Sequence, residues 1–95
     1  MKKQFTYLMY DGRHYKIGKS KDPINRFKQL QTSNPFLELV SYYEGDIEVL
    51  CHQTFWKNRV KNEWFKFDDK TLKAVIDFMS SKSNVSCYYS LYQNL

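Results

Sequence analysis

The sequence predicts an α/β (α+β) domain in which a three-stranded antiparallel β-sheet is flanked by about three helices. Three observations lead to this class: aromatic-rich strands around a hairpin signal, a helix begun by proline, and apolar residues at helical spacing after residue 68. The length of 95 residues fits one domain with one modest core. We therefore expect a single domain over 1–95, with a motif core at 5–67 and a C-terminal helix and tail at 68–95.

The N-terminal part of the chain predicts a β-hairpin. Residues Phe5 to Tyr10 form a short strand rich in aromatic side chains. Asp11-Gly12 is a strong turn signal, so His14 to Gly18 is predicted to be the antiparallel partner.

The first helix has clear start and stop signals. Asp22 can cap the helix, and Pro23 suits its first position. The helix should end before Asn34-Pro35, because a residue that precedes proline avoids the helical region. The side chains expected to face the sheet are Ile24, Phe27 and Leu30.

A third strand is predicted from Leu37 to Tyr42, followed by a second helix that Gly45-Asp46 begins. One flank of this helix should carry Glu48, His52, Phe55 and Arg59 at 100° per residue. Its buried side is expected to contain Ile47, Leu50, Cys51 and Thr54.

The last third of the chain predicts a turn, a short extended segment and a third helix. The turn is Lys61-Asn62, and the extended segment runs from Glu63 to Phe67. Asp68 or Asp69 caps the helix, whose core stripe is Leu72, Val75, Ile76 and Met79. For Val85 to Tyr92 the sequence leaves an edge strand and a poorly ordered tail open.

Composition limits the class of protein. The 18% aromatic content can fill a small core, and Tyr42, Tyr43 and Trp56 are interpreted as part of it. A mean hydropathy of −0.68 and the lack of a long apolar run exclude a transmembrane segment, and no signal peptide is expected. Cys51 and Cys87 are expected to be reduced intracellular thiols.

Charge favours a polyanionic partner. The net charge is +5, and the lysines and arginines fall in two stretches, residues 16–28 and residues 57–66. These stretches flank the residues with the strongest chemical signal. Nucleic acid is therefore the expected partner.

An ordered set of polar residues runs along these elements: Tyr7, Tyr15-Lys16-Ile17-Gly18-Lys19, Arg26, His52 and Glu63-Trp64-Phe65. One carboxylate, one arginine, a histidine and a Tyr/Lys pair suit hydrolysis of a phosphodiester with a divalent metal. They do not suit acyl transfer or redox chemistry. The order and spacing resemble the GIY-YIG nuclease superfamily, and above all its small phage and viral branch with K-I-G in the second motif (Mug113/T5-orf172-like domains). The resemblance runs from about Phe5 to Phe67.

The resemblance implies a role for each conserved chemical group. Glu63 matches the metal-binding glutamate, for Mg²⁺ or Mn²⁺, and Arg26 matches the essential arginine that grips a phosphate. Tyr7 matches the first motif tyrosine. The second falls on Lys16, unless a bulge brings Tyr15 into the site; Lys16 is preferred.

The remaining polar residues complete the expected site. Lys19, Lys21 and Arg59 are predicted to bind substrate phosphates. His52 titrates near neutrality and can accept a proton. The general base stays open among Lys16, Tyr15, Tyr7 and His52.

The sequence thus predicts a metal-dependent endonuclease of low sequence specificity, with DNA favoured over RNA as substrate. We expect an intracellular protein of a phage- or virus-infected cell, a monomer or a homodimer, that does not engage a membrane. Two alternatives are a nucleic-acid-binding module without catalysis, favoured by Lys16 and Leu30, and a viral protein-interaction module on the same fold. Leu30 stands where better-known relatives carry histidine or tyrosine.

Overall fold

The computed structural model describes residues 3–83, so Cys87 and the expected strand or tail at Val85 to Tyr92 lie outside the described residues. Within that range the chain forms five strands, three α-helices and one short 3-10 turn. In chain order these are β1 (Phe5–Tyr10), β2 (Tyr15–Ser20), α1 (Pro23–Ser33), β3 (Glu38–Glu44), α2 (Glu48–Thr54), the 3-10 turn (Trp56–Asn58), β4 (Arg59–Lys61), β5 (Trp64–Phe65) and α3 (Asp69–Lys82).

The predicted hairpin is confirmed. Asp11 Oδ1 accepts hydrogen bonds from the backbone N–H groups of Arg13 (2.8 Å) and His14 (2.7 Å), which fixes the turn. Gly12 adopts a φ of +102°, which glycine tolerates best. The second strand lies slightly later than predicted, because pairing with β1 continues to Ser20.

Helix α1 begins and ends where the sequence predicts. Asp22 caps it by accepting a hydrogen bond from Asn25 N–H at 3.1 Å, and Pro23 is its first residue. Phe27 and Leu30 pack against the sheet as expected. Ile24 does not, since it is 39% exposed at the helix start.

The sheet has five antiparallel strands in the order β3-β1-β2-β5-β4, so the prediction of three strands is wrong. The two additional strands form one hairpin around the predicted Lys61-Asn62 turn, where Asn62 has a φ of +52°. β5 pairs with Tyr15 and Lys16 of β2. Strands of two or three residues are too short to show an alternating pattern, which is why the sequence indicated only an extended segment.

The sheet separates two groups of buried side chains. On one face, α1 covers a small group that includes Tyr7, Met9, Leu37 and Leu39. On the other face, α2 and α3 cover the larger core, which includes Leu8, Tyr15, Ile17, Val40, Tyr43, Phe65 and Phe67. None of the helices within residues 3–83 has the length and apolarity needed to cross a membrane.

Helix α2 is less deeply packed than predicted. Ile47 and Cys51 are buried, but Leu50 is 41% exposed and Thr54 also faces solvent. Asp46 does not cap the helix; its carboxylate lies 3.2 Å from Lys19 Nζ instead. Burial raises the pKa of the Cys51 thiol to about 12, so this cysteine remains protonated, as the prediction of a reduced thiol requires.

Helix α3 confirms its predicted stripe, with Leu72, Val75 and Met79 buried and Ile76 partly buried. Asp68 is its cap, since Oδ1 accepts a hydrogen bond from Thr71 N–H at 2.7 Å.

Asp68→Ala is expected to lower the thermal unfolding midpoint at pH 7. The hydrogen bond from Thr71 holds the pKa of Asp68 below its ordinary value, so the stabilisation is present above the unfolded pKa and is lost as pH falls through the folded one. The difference from the parent protein should therefore shrink below about pH 4. Circular dichroism melts from neutral pH downwards measure it, with Asp69→Ala as control. A difference that stays constant with pH would contradict this role.

Candidate active site

Tyr7 and Gly18 lie directly opposite each other on β1 and β2, on the face that α1 covers. Because the side chain of Gly18 is a hydrogen, the Tyr7 ring can lie across the strand with its hydroxyl over Gly18. A Cβ at Gly18 would overlap the Tyr7 hydroxyl and would lie 2.6 Å from Glu63 Oε1. Two functional oxygens therefore occupy the space above this glycine, close to each other.

Glu63 reaches this point from the turn between β4 and β5. Its backbone carbonyl accepts a hydrogen bond from Ile17 N–H at 3.0 Å, which fixes the turn against the free part of the β2 edge. Lys16 Nζ lies 4.0 Å from Glu63 Oε1 and 5.3 Å from the centre of the Trp64 ring. The carboxylate is half-exposed, so substrate and ions have access to it.

Arg26 approaches the same point from α1. Its guanidinium donates a hydrogen bond to the Tyr7 hydroxyl, while most of the residue faces solvent. Burial raises the pKa of the Tyr7 phenol, the negative charge of Glu63 raises it further, and Arg26 partly opposes both. The arginine and the glutamate on which the sequence argument depends thus converge on one tyrosine.

Helix α2 adds two residues at the β2 edge. His52 Nε2 lies 3.0 Å from the Ile17 carbonyl oxygen. Since a carbonyl can only accept, Nε2 carries the proton and Nδ1 is the nitrogen left to accept one in the neutral ring. The His52 ring also packs edge-on against Phe65, with centroids 4.9 Å apart.

Glu48 is a second carboxylate beside Glu63 and was not among the predicted site residues. Burial raises the pKa of Glu48, as does the negative charge of Glu63, while His52 and Lys19 lower it. The sequence did place Glu48 on the same helix flank as His52, four residues earlier. That spacing was the available signal, but nothing in the sequence showed which strand this flank faces.

The donor set suits a hard cation. Glu63 and Glu48 present carboxylate oxygens close to each other, and both the mutual repulsion and the oxygen chemistry fit Mg²⁺ or Mn²⁺. Within residues 3–83, no group of three or more His, Cys, Asp or Glu side chains could hold a metal ion. One or two carboxylates can suffice for these ions, which keep several waters and take substrate oxygens.

Tyr15 is not part of this cluster. It points to the opposite face, where its ring stacks on Tyr10 at 4.4 Å and packs against Phe67 at 5.5 Å between ring centroids. The pairing of β1 with β2 is continuous, so no bulge turns Tyr15 round. The alternation of strand side chains places Lys16 in the second motif position, as preferred from the sequence.

The predicted phosphate-binding residues are not all near the cluster. Lys19 follows Gly18 directly and pairs with Asp46 at the surface. Lys21 is exposed just after β2, and Arg59 is exposed on β4, the outermost strand. Arg59 therefore lies away from Tyr7.

The three aromatic residues interpreted as core differ in their surroundings. Tyr43 is buried and Tyr42 is partly buried, with its ring edge-on to Phe5 at 5.8 Å. Trp56 is 64% exposed, so its interpretation as a core residue is wrong. It belongs to a single 3-10 turn, and such a short turn gives no periodicity from which burial can be predicted.

A cavity of about 160 Å³ adjoins the cluster on the side of Lys16. Its walls are Lys16, Leu30, Ser33, Asn34, Leu37 and Trp64. A larger groove of about 360 Å³ between α1 and β3 includes none of the polar residues above, so the chemistry belongs to the smaller one.

Comparison with known proteins agrees with this geometry at the level of the family. The family model of the T5orf172 domain matches residues 4–80, which include all of β1 to β5 and most of α3. Searches of curated proteins and of solved structures gave no significant match. T5orf172 domains are GIY-YIG-like and nuclease-related, which confirms the resemblance at that level, whereas the phage and viral branch stays a prediction. The chain belongs to the T5orf172 domain family.

Proposed function

We propose that this protein is a metal-dependent endonuclease that hydrolyses phosphodiester bonds in DNA with low sequence specificity. The observation that carries the proposal is the convergence of the Arg26 guanidinium and the Glu63 carboxylate on the Tyr7 hydroxyl above Gly18. Membership of a nuclease-related family supports it, as does the net charge of +5.

Arg26 would bind the scissile phosphate. Its planar guanidinium can offer two parallel N–H donors to phosphate oxygens while it retains the bond to Tyr7. Lys16, beside Glu63, would add positive charge on the other side of the phosphate. These two cations lie on different elements, α1 and β2, and together they would fix the position of the phosphate between them.

Glu63, assisted by Glu48, would hold the divalent ion. When bound, the ion supplies positive charge for the phosphoryl oxygens and activates water. The carboxylates orient it at the edge of β2, next to the residues that bind the phosphate.

Tyr7 is better suited to donate a hydrogen bond than to act as a base. Burial and the charge of Glu63 raise the pKa of its phenol, so the hydroxyl keeps its proton at neutral pH. It would donate this proton in a hydrogen bond to a phosphate oxygen that gains charge in the transition state. His52 retains Nδ1 to accept a proton, whereas Tyr15 lies on the far face of the sheet.

A cleavage assay tests the proposal. Purified protein is incubated with a mixture of supercoiled plasmid and single-stranded circular DNA, in Mg²⁺, in Mn²⁺ and with a chelator. We expect nicks or breaks that require either metal and vanish with the chelator. DNA binding without any metal-dependent cutting would instead select the non-catalytic binding module, which the presence of Lys16 in place of the second motif tyrosine favours.

Arg26→Lys is expected to lower the single-turnover cleavage rate by about 10²-fold, because an ammonium group cannot reproduce the two-pronged contact with a phosphate. Arg13→Lys is the matched control, since Arg13 is an exposed arginine in the turn between β1 and β2. A rate for Arg26→Lys within about twofold of the parent protein would remove the proposed role of the guanidinium.

A further inference from the structure

An exposed aromatic ring and a run of cations lie on the segment that leads to Glu63. Trp56 is 64% exposed, and Lys57 Nζ lies 5.8 Å from the centre of its ring. The three residues of β4 that follow, Arg59, Val60 and Lys61, are all exposed. We call this set, Trp56 to Lys61, the β4 surface.

The positive charge of the β4 surface is not neutralised by neighbours. The ion pairs among residues 3–83 involve Lys3, Lys16 and Lys19, and none involves Lys57, Arg59 or Lys61. Between residues 49 and 67, Glu63 is the only acidic residue of the sequence. An aromatic ring among unpaired cations fits a ligand with both flat rings and negative charge.

The position of the β4 surface connects it to the candidate active site. β4 is the outermost strand of the sheet, and the turn at Asn62 leads from it directly to Glu63. Three strand residues span about 10 Å, which matches about three nucleotides at a rise of 3.4 Å. A strand of nucleic acid that lies along β4 would therefore continue towards the carboxylate.

We propose that Trp56 stacks on an unpaired nucleobase while Lys57, Arg59 and Lys61 contact the neighbouring phosphates. Stacking of this kind requires a base whose face is free, which a continuous duplex does not offer. The substrate of the site is then single-stranded or locally unpaired nucleic acid. This inference rests on the proposed function, because it names the substrate class of the same site.

Binding measured without cleavage tests the inference separately from catalysis. The full chain with Glu63→Gln, in chelator, is titrated against a fluorescent single strand, a duplex of the same sequence, and the RNA strand. We expect the single strands to bind more tightly than the duplex. Adding Trp56→Ala should weaken single-strand binding by about 5- to 150-fold and change duplex binding little. Phe36→Ala is the matched control: Phe36 is 78% exposed, next to the opposite edge strand, and its removal should have no effect.

The cations have their own readout. Exchanging Lys57 and Lys61 for glutamine should flatten the slope of log affinity against log salt by about one unit. Lys73→Gln, an exposed lysine on α3, should leave that slope unchanged. A flatter slope with the Lys73 variant equal to the parent would support the proposed phosphate contacts.

Two results would overturn the inference. One is equal binding of single strand and duplex with no effect of Trp56→Ala. The other is a change in oligomeric state or thermal midpoint on Trp56→Ala with single-strand binding intact, which would mean that the ring is covered by the chain itself or by a second copy. Absence of cleavage by the parent protein would remove the proposed nuclease function but would leave the strand-binding result standing.

Discussion

Replacing Glu63 by glutamine is expected to lower the single-turnover rate of metal-dependent cleavage by about 10²- to 10⁴-fold. Glutamine keeps the size of the side chain but loses the negative charge that would hold a divalent ion. The fold should not suffer, because the backbone carbonyl of residue 63, not its side chain, pairs with Ile17. Loss of the repulsion between Glu63 and Glu48 should offset loss of the half-exposed contact with Lys16.

A comparison with Glu38→Gln isolates this effect. Glu38 is an exposed glutamate on β3, the edge strand farthest from β4, and its neutralisation should change neither rate nor stability. Cleavage is measured with Mg²⁺ and Mn²⁺, and thermal midpoints are recorded for all three proteins. A Glu63→Gln protein that cuts at the parent rate with either ion would show that this carboxylate does not hold the metal.

Gly18→Ala is expected to abolish measurable cleavage and to destabilise the fold by about 1–3 kcal/mol. A Cβ there would lie 2.6 Å from Glu63 Oε1 and would overlap the Tyr7 hydroxyl, so both groups must move. The gain from replacing glycine by alanine in a strand is about 0.5–1 kcal/mol, which is smaller than this steric cost. Chemical denaturation gives the stability, and single-turnover kinetics give the rate.

Two further variants separate crowding at the site from general damage. Adding Tyr7→Phe to Gly18→Ala removes the overlapping hydroxyl, so part of the stability should return while cleavage stays lost. Gly12→Ala should cost stability through its φ of +102° but leave the cleavage rate unchanged, since a Cβ there meets no atom within 4 Å. A Gly18→Ala protein as active and as stable as the parent would mean that Tyr7 and Glu63 do not share this space.

The sequence predicted the elements whose signals are local. The Asp22-Pro23 start of α1, its end before Asn34-Pro35 and the turn at Asp11-Gly12 each depend on backbone preferences within a few residues. The opposite orientations of Tyr15 and Lys16 followed from strand alternation alone. These features need no knowledge of distant contacts, which is why they were predictable.

The features that the sequence did not predict depend on contacts between distant segments. β5 exists because Trp64 and Phe65 pair with β2, some fifty residues earlier in the chain. The closeness of Glu48 to Glu63 depends on where α2 docks along the β2 edge. The exposure of Trp56 depends on β4 being outermost, which no local pattern reveals.

Single-turnover cleavage by four proteins tests the central claim most directly: the parent, Glu63→Ala, Arg26→Ala and the double variant. If the carboxylate and the guanidinium act together on one phosphate, each single variant removes nearly all metal-dependent cleavage and the double variant is no slower than the singles. Losses that multiply in the double variant, or a single variant that cuts at the parent rate, would show that the two groups do not act on the same phosphate.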